Sequence, residues 1–260
     1  MGFLTDVVTE VREGLRLAPL DEDAFRGRVE TAAPARDFVA ALRGAGTAVI
    51  AEVKRVSPSA GSIAADADPV SQARAYAVGG AAAVSVLTEP RHFGGSLGDL
   101  ETVRAAVELP VLRKDFLVDP SQILEARAHG ADAVLLITAC LDDDELRAML
   151  EAAVAFGMGV LLETHADDDL DRALATDAPV IGVNARDLET LEVDPERARR
   201  QLTRVPADRI AVLESGIRTR ADVVSAVEAG ASAILVGETL MRAGDPRRTL
   251  RTLIGEEPET

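Results

Sequence analysis

Several residue types are nearly missing from this chain, and each gap narrows its reading. The 260 residues contain one cysteine, Cys140, so no internal disulfide forms, as expected of a cytoplasmic protein. Cys140 is expected to be a small buried hydrophobe at a strand end. Tryptophan is absent and aromatics make up only 3%. The core must then be Val, Ile, Leu and Ala, residues that layer well in a parallel sheet. No apolar run reaches about 18 residues, so no membrane span is expected. The opening stretch MGFLTDVVTEVREG has acids and no basic n-region, unlike a secretory signal. Excess positive charge is lacking too: the formal charge is −16 and the pI about 4.6. That argues against a nucleic-acid partner, because phosphate backbones need a basic surface. A small anionic ligand stays compatible, since a few local cations and free N–H groups hold one. The three histidines, His92, His129 and His165, fall in separate units and offer no metal site.

What is present is a regular alternation. Apolar, β-branched runs occupy residues 47–54, 81–88, 109–115, 131–137, 159–164, 180–184, 209–215 and 233–237. Between them lie Ala-rich segments such as DPSQILEARAHG and DDDELRAMLEAAVAFG. These begin with Asp, repeat apolar residues at i, i+3 and i+4, and end with Gly, which are helix cap signals. Strands alternating with helices imply a parallel sheet, and eight such units predict an α/β fold of the (β/α)8 barrel type. An open doubly wound sheet is the alternative, weakened by the lack of a G-x-G-x-x-G turn after the first strand. Residues 1–46 read as a helical extension. It has two helices, at 4–17 and 36–45, joined by a polar linker. The barrel spans 47–260, and no second domain is expected.

In such a barrel the active site lies at the C-terminal ends of the strands. Those ends carry Glu52 and Lys54 on one face of the first strand, Lys114 on the third, and Glu163 on the fifth. Asn184 ends the sixth, Glu214 and Ser215 the seventh, and Gly237 the eighth. A single charged strand end is usually a solvated end. Polar groups at six matching ends of otherwise apolar runs point to one converging site, since buried charges are costly unless paired. Ser215-Gly216 and Gly237 fall in the two loops that most often bind phosphate in this fold. Glycine there lets the backbone approach a dianion.

The motifs IAEVKRVSPSAG, HFGGS, LRKDFLVDPSQILEARAHGADAVLLI, LLETHADDDLDRAL, IGVNARDLETLEVD, LESGI and ILVGETLMR occur in this order. Together the chain resembles the indole-3-glycerol phosphate synthase family, in its monofunctional form. The resemblance implies ring closure, decarboxylation and dehydration of 1-(2-carboxyphenylamino)-1-deoxyribulose 5-phosphate, a step of tryptophan biosynthesis, without cofactor or metal. It implies a general acid at Lys114, an acid/base partner at Glu163, and a carboxylate-binding lysine at Lys54. Glu52, Asn184 and Ser215 match supporting polar residues, and Ser57, Arg186, Glu214 and Gly216 match further site positions. Phe93, Phe116 and Leu188 match an apolar wall around the aromatic ring. Phosphate is expected at Ser215, Gly216, Gly237 and the backbone N–H of Glu238, whose carboxylate suits a phosphate poorly. Ser121 stands where many relatives carry Tyr, which is expected to alter helix packing.

Lysine, with an ordinary pKa of about 10.4, donates protons poorly at neutral pH. A neighbouring cation such as Lys54, or burial, is expected to lower the pKa of Lys114. Glu163 is expected to serve as an acid if a partly apolar site keeps it protonated. The expected partner is a small phosphorylated substrate, with no nucleic acid or membrane, for a monomer or weak homodimer. Two rivals remain at this stage. One is a Schiff-base aldolase or sugar-phosphate isomerase of the same fold. The other is a barrel that binds a phosphate ligand without turnover.

Overall fold

All eight apolar runs form strands, each ending within two residues of its expected bounds. A computed structural model describes residues 2–44 and 46–256. The strands are β1 (Ala48–Val53), β4 (Ala83–Leu87), β5 (Val111–Lys114), β6 (Ala133–Ile137), β7 (Gly159–Thr164), β8 (Val180–Asn184), β9 (Ile210–Glu214) and β10 (Ala233–Val236). All pair in parallel, and β1 joins both β4 (Ile50 opposite Ala83) and β10 (Ala48 opposite Ala233). The sheet is therefore closed, a (β/α)8 barrel, and the open doubly wound alternative is excluded.

The register aligns the polar strand ends. Leu87 lies opposite Lys114, Ile137 opposite Glu163, and Asn184 opposite Glu214. Below this ring the strands are buried aliphatics such as Val49, Leu112, Leu135 and Ile181. Crossover helices follow the cap signals. In α6 (Pro120–Ala128) Asp119 and Gln122 form a capping box. In α7 (Asp143–Ala155) Asp142 and Glu145 do the same.

The N-terminal extension departs from expectation. It has three helices: α1 (Phe3–Leu17), α2 (Glu22–Thr31) and α3 (Phe38–Leu42). The segment read as a polar linker contains α2. That helix fully buries none of its residues, and its apolar stripe is only Phe25 and Val29, too short to read. Local and tertiary contacts hold it instead. Asp21 caps the Ala24 N–H, Phe25 packs edge-on against His129 on α6, and Arg28 pairs with Glu101. The third helix is shorter than expected, and Ala45, at the end of its expected span, lies outside the described residues.

The extension runs from the mouth of the barrel to its base. At the mouth, Arg12 of α1 reaches Glu145 at 2.7 Å and the Cys140 carbonyl at 3.1 Å. At the base, Phe38 of α3 covers the start of β7, where a Cβ on Gly159 would lie 2.8 Å from the Phe38 Cβ. The fully buried Asp132 fixes this seam by accepting from the Arg36 and Val111 N–H groups. The loop expected after β1 folds into a small antiparallel hairpin, β2 (Val56–Ser57) with β3 (Gly61–Ser62). No helix among the described residues is long and apolar enough to cross a membrane.

Candidate active site

The strand ends open into a cavity of about 530 Å³, a size suited to one small ligand. Glu52, Lys54, Lys114, Asn184, Glu214 and Ser215 line it, as do Ser57, Arg186, Gly216, Gly237 and Glu238. Glu163 lies just behind that wall, reached through Lys114 and Asn184.

Lys114 stands at the centre. Its Nζ is 3.1 Å from Glu163 Oε2 and 3.7 Å from Glu214 Oε2. Asn184 Nδ2 donates to the other Glu163 oxygen at 2.9 Å, and Asn184 Oδ1 accepts from the Arg186 backbone N–H at 3.0 Å. Lys54 sits apart, with its Nζ 2.8 Å from Glu52 Oε1. Glu52 also receives the Tyr76 hydroxyl on its backbone carbonyl, which anchors the end of β1.

These contacts set the protonation states. Burial works against the Lys114 ammonium, but the carboxylates of Glu163, Glu214 and Glu52 outweigh it and hold its pKa above the ordinary value. The expectation of a lowered Lys114 pKa is therefore corrected. The neighbouring cation, Lys54, is committed to Glu52, and the nearest charge to Lys114 is the Glu163 carboxylate. Burial likewise pushes Glu163 up, yet Lys114 and the Asn184 amide prevail and hold it below the usual carboxylate range. Glu163 is thus ionised, which corrects the expectation that it is the protonated acid.

Glu214 goes the other way. Burial, then the charge of Glu163, pushes it well above the usual range, against the pull of Lys114. Among the described residues neither Glu214 oxygen receives a hydrogen bond, as suits a neutral carboxyl whose own proton faces Glu163. The surroundings thus favour the anion at Glu163 and the neutral form at Glu214.

Two glycines make room for these acids. A Cβ on Gly182, in the middle of β8, would lie 2.3 Å from Glu214 Oε1. A Cβ on Gly237 would lie 2.5 Å from Glu52 Oε1. The φ of Gly237 is −118°, open to any residue, so its glycine serves the space beside Glu52 rather than the backbone.

The two ends of the cavity differ. At one, Phe93 and Phe116 have ring centroids 6.2 Å apart, and Leu188 joins them on the cavity wall. Phe93 is held by the buried Glu89, whose carboxylate accepts from the N–H groups of Arg91, His92 and Phe93. At the other end Ser215 and Gly216 both adopt positive φ, 64° and 80°. A non-glycine residue held there marks a constrained turn. Thr239 ties this loop to the next by donating to the Ile217 carbonyl at 2.7 Å. Glu238 turns its carboxylate onto Arg242 at 3.0 Å.

Sequence reasoning missed several members. Phe3, from α1, enters the cavity and packs edge-on against Phe116 at 6.2 Å and Phe93 at 6.5 Å. Arg218, Asp222 and Arg242 also line the cavity. His165, read as a plain loop residue, has Nδ1 3.2 Å from the Asn184 carbonyl oxygen and Nε2 3.2 Å from Asp187. His92, next to Phe93, packs edge-on against Phe3 at 5.2 Å and faces Glu10, and His129 faces Glu101.

One signal was available in the composition. Lys54 and Lys114 are the chain's only lysines, and Asn184 is its only asparagine. All three converge here, while every other cation is an arginine.

Comparison with known proteins agrees with this geometry. A family model described as indole-3-glycerol phosphate synthase matches residues 4–253. The Streptomyces coelicolor protein named indole-3-glycerol phosphate synthase 1 is 49% identical over 99% of this chain and 97% of its own length. The indole-3-glycerol phosphate synthase of Mycolicibacterium vanbaalenii is 50% identical over 98% of this chain and 95% of its own. Among solved structures, a 3-hexulose-6-phosphate synthase superposes with a TM-score of 0.66 at 17% identity. It covers 82% of this chain and 100% of its own, a likeness of fold alone. The chain belongs to the indole-3-glycerol phosphate synthase family.

Proposed function

We propose that the protein converts 1-(2-carboxyphenylamino)-1-deoxyribulose 5-phosphate to indole-3-glycerol phosphate, CO2 and water, as a carboxy-lyase. The observation that carries this reading is the placing of Lys114 between the carboxyl groups of Glu163 and Glu214, in a cavity with an aromatic wall at one end. The substrate's aromatic ring fits against Phe93 and Phe116. Its phosphate fits the Ser215-Gly216 and Gly237-Glu238 loops, and its carboxylate fits Lys54.

Ring closure joins the ring carbon that bears the carboxylate to the ribulose carbonyl carbon. The carbonyl oxygen gains negative charge as the bond forms. Lys114, held protonated, offsets that charge and supplies the proton. Loss of CO2 then returns its electron pair to the ring and restores aromaticity. In the dehydration the new hydroxyl leaves as water, for which the neutral Glu214, 3.7 Å from Lys114, keeps a proton at hand. The Glu163 carboxylate takes the proton that the closing indole gives up. Lys114 and Glu214 each give a proton and Glu163 receives one, so each turnover takes up one proton from solvent, the proton that replaces the departing CO2.

The charge state of Lys114 also speaks against the aldolase rival. A Schiff base needs a free amine, and this one is kept as an ammonium by its carboxylates.

The test is the fluorescence of indole-3-glycerol phosphate formed from the carboxyphenylamino substrate. The wild-type protein is expected to generate it, and Lys114→Met to lower kcat by about 10²–10⁴-fold, the range for a general acid. Folded wild-type protein that yields no fluorescence would refute the reading. Turnover by Lys114→Met at the wild-type rate would remove Lys114 from its role.

A further inference from the structure

The ladder between β7 and β8 ends with Thr164 opposite Val183. One residue further on, the carbonyl oxygens of His165 and Asn184 lie beyond it and need donors from elsewhere. The helix α9 (Pro195–Leu202), on the outside of the barrel, provides them. Arg197 donates Nη2 to the Asn184 carbonyl at 2.7 Å and Nη1 to the His165 carbonyl. Gln201, one turn along and almost fully buried, donates to the same His165 carbonyl at 2.8 Å. Its own oxygen accepts from Arg197 Nη1 at 2.8 Å. One guanidinium thus spans the ends of the two strands that carry Glu163 and Asn184. On the inner side, the Asn184 amide holds Glu163 at 2.9 Å, and Glu163 holds Lys114.

We infer that Arg197 is a positioning residue for the reaction: by bridging the His165 and Asn184 carbonyls it fixes the spacing of the two strand ends, and with it the Asn184–Glu163 hydrogen bond. The link to turnover rests on the function proposed above; the geometric link does not. Arg197 does not line the cavity, so it acts only through Asn184 and Glu163. Arginine suits this place because its rigid planar fork serves two acceptors at once, whereas the ammonium of lysine is a point charge. Gln201 keeps the fork in plane and shares the His165 carbonyl.

Two measurements test this. The first ignores catalysis. Asn184 is the only asparagine, so protein labelled with 15N-asparagine gives one side-chain amide pair in an NMR spectrum. Arg197→Met is expected to shift that pair and speed its exchange with water, and Arg197→Lys to fall between. An Arg197→Met spectrum identical to wild type would overturn the inference whether or not the protein is a synthase. The second is a double-mutant cycle on turnover. Arg197→Met is expected to lower kcat by about tenfold or more, with KM changed less than about threefold. In an Asn184→Ala background the same substitution is expected to cost less than about threefold, because the group it positions is gone. Arg204→Met, which removes another arginine bridge near α9, to Asp167 and Asp171, is expected to leave kcat unchanged. Equal losses in both backgrounds, or the same loss from Arg204→Met, would reduce Arg197 to a general structural role and overturn the inference. Should the wild type produce no indole-3-glycerol phosphate, the function fails and the NMR result alone decides on Arg197.

Discussion

Glu163 and Glu214 are equally buried, and their neighbours alone set them apart. Glu163 touches the Lys114 ammonium and the Asn184 amide, both of which favour its anion. Glu214 has no donor and faces that anion. Its folded-state pKa therefore lies above the unfolded value of about 4.3. The sign follows by linkage: the folded state binds the extra proton, so the stability tied to Glu214 is fully present below its unfolded pKa and is lost as pH rises through the folded one. Glutamine does not titrate. Glu214→Gln is thus expected to gain on wild type in Tm as pH rises above the unfolded value of about 4.3, and the gap in Tm between the two measures it. A gap that stays constant with pH would place the proton elsewhere. Which residue types gather at the site was legible in the sequence, because each polar group ends an apolar run. Which carboxylate keeps the proton was not. That depends on Glu214 meeting Glu163 across β8, a contact between residues 51 positions apart in the numbering.

At the scale of the element, β8 makes that meeting feasible. Its sequence VIGVN places a glycine between the strands that carry the two acids, and the missing side chain is the space the Glu214 carboxyl fills. Gly182→Ala is expected to push Glu214 off Glu163 and Lys114, destabilising the fold by about 1–3 kcal/mol and lowering kcat more than KM. Gly27→Ala makes the contrast. Gly27 is inside α2 with open space where the methyl would go, so the change is expected to stabilise by about 0.5–1 kcal/mol. Urea titrations of both variants check the opposite signs, and two variants of like sign would remove the packing role of Gly182. The eight barrel strands were legible because each is a short β-branched run bounded by helix caps. The helix α2 was not, since the apolar stripe of EDAFRGRVET is only Phe25 and Val29, both half-buried, and its partners, Glu101 and His129, lie far along the chain. The β2–β3 hairpin was hidden for a related reason: it pairs only two residues a side, too few for a pattern to repeat.

Across the whole molecule, the choice between two cations carries the last step. There are 28 cationic residues, and all but Lys54 and Lys114 are arginines. Arginines do the structural pairing: Arg12 with Glu145, Arg113 with Asp115 and Glu125, Arg204 with Asp167 and Asp171. A guanidinium stays charged and binds carboxylates in a planar fork, which is what a scaffold needs. An ammonium can give up its proton and take it back, and this chain keeps ammonium side chains only where the cavity is. Pairing outside the cavity thus rests on arginine, while the proposed chemistry depends on lysine. An amine-selective acylating reagent should therefore separate the two. Peptide mapping is expected to find adducts at Lys54, Lys114 and the chain's N-terminal amine alone. Lys114, held protonated chiefly by Glu163, is expected to react more slowly than the N-terminal amine at pH 8 and to gain on it as pH rises. Turnover should fall as Lys54 and Lys114 are acylated while the far-UV circular dichroism stays native, and saturating substrate should slow both the labelling and the loss. Protein acylated at both lysines that still turned over at the wild-type rate would show that the two ammonium groups, despite their placement, take no part in the reaction.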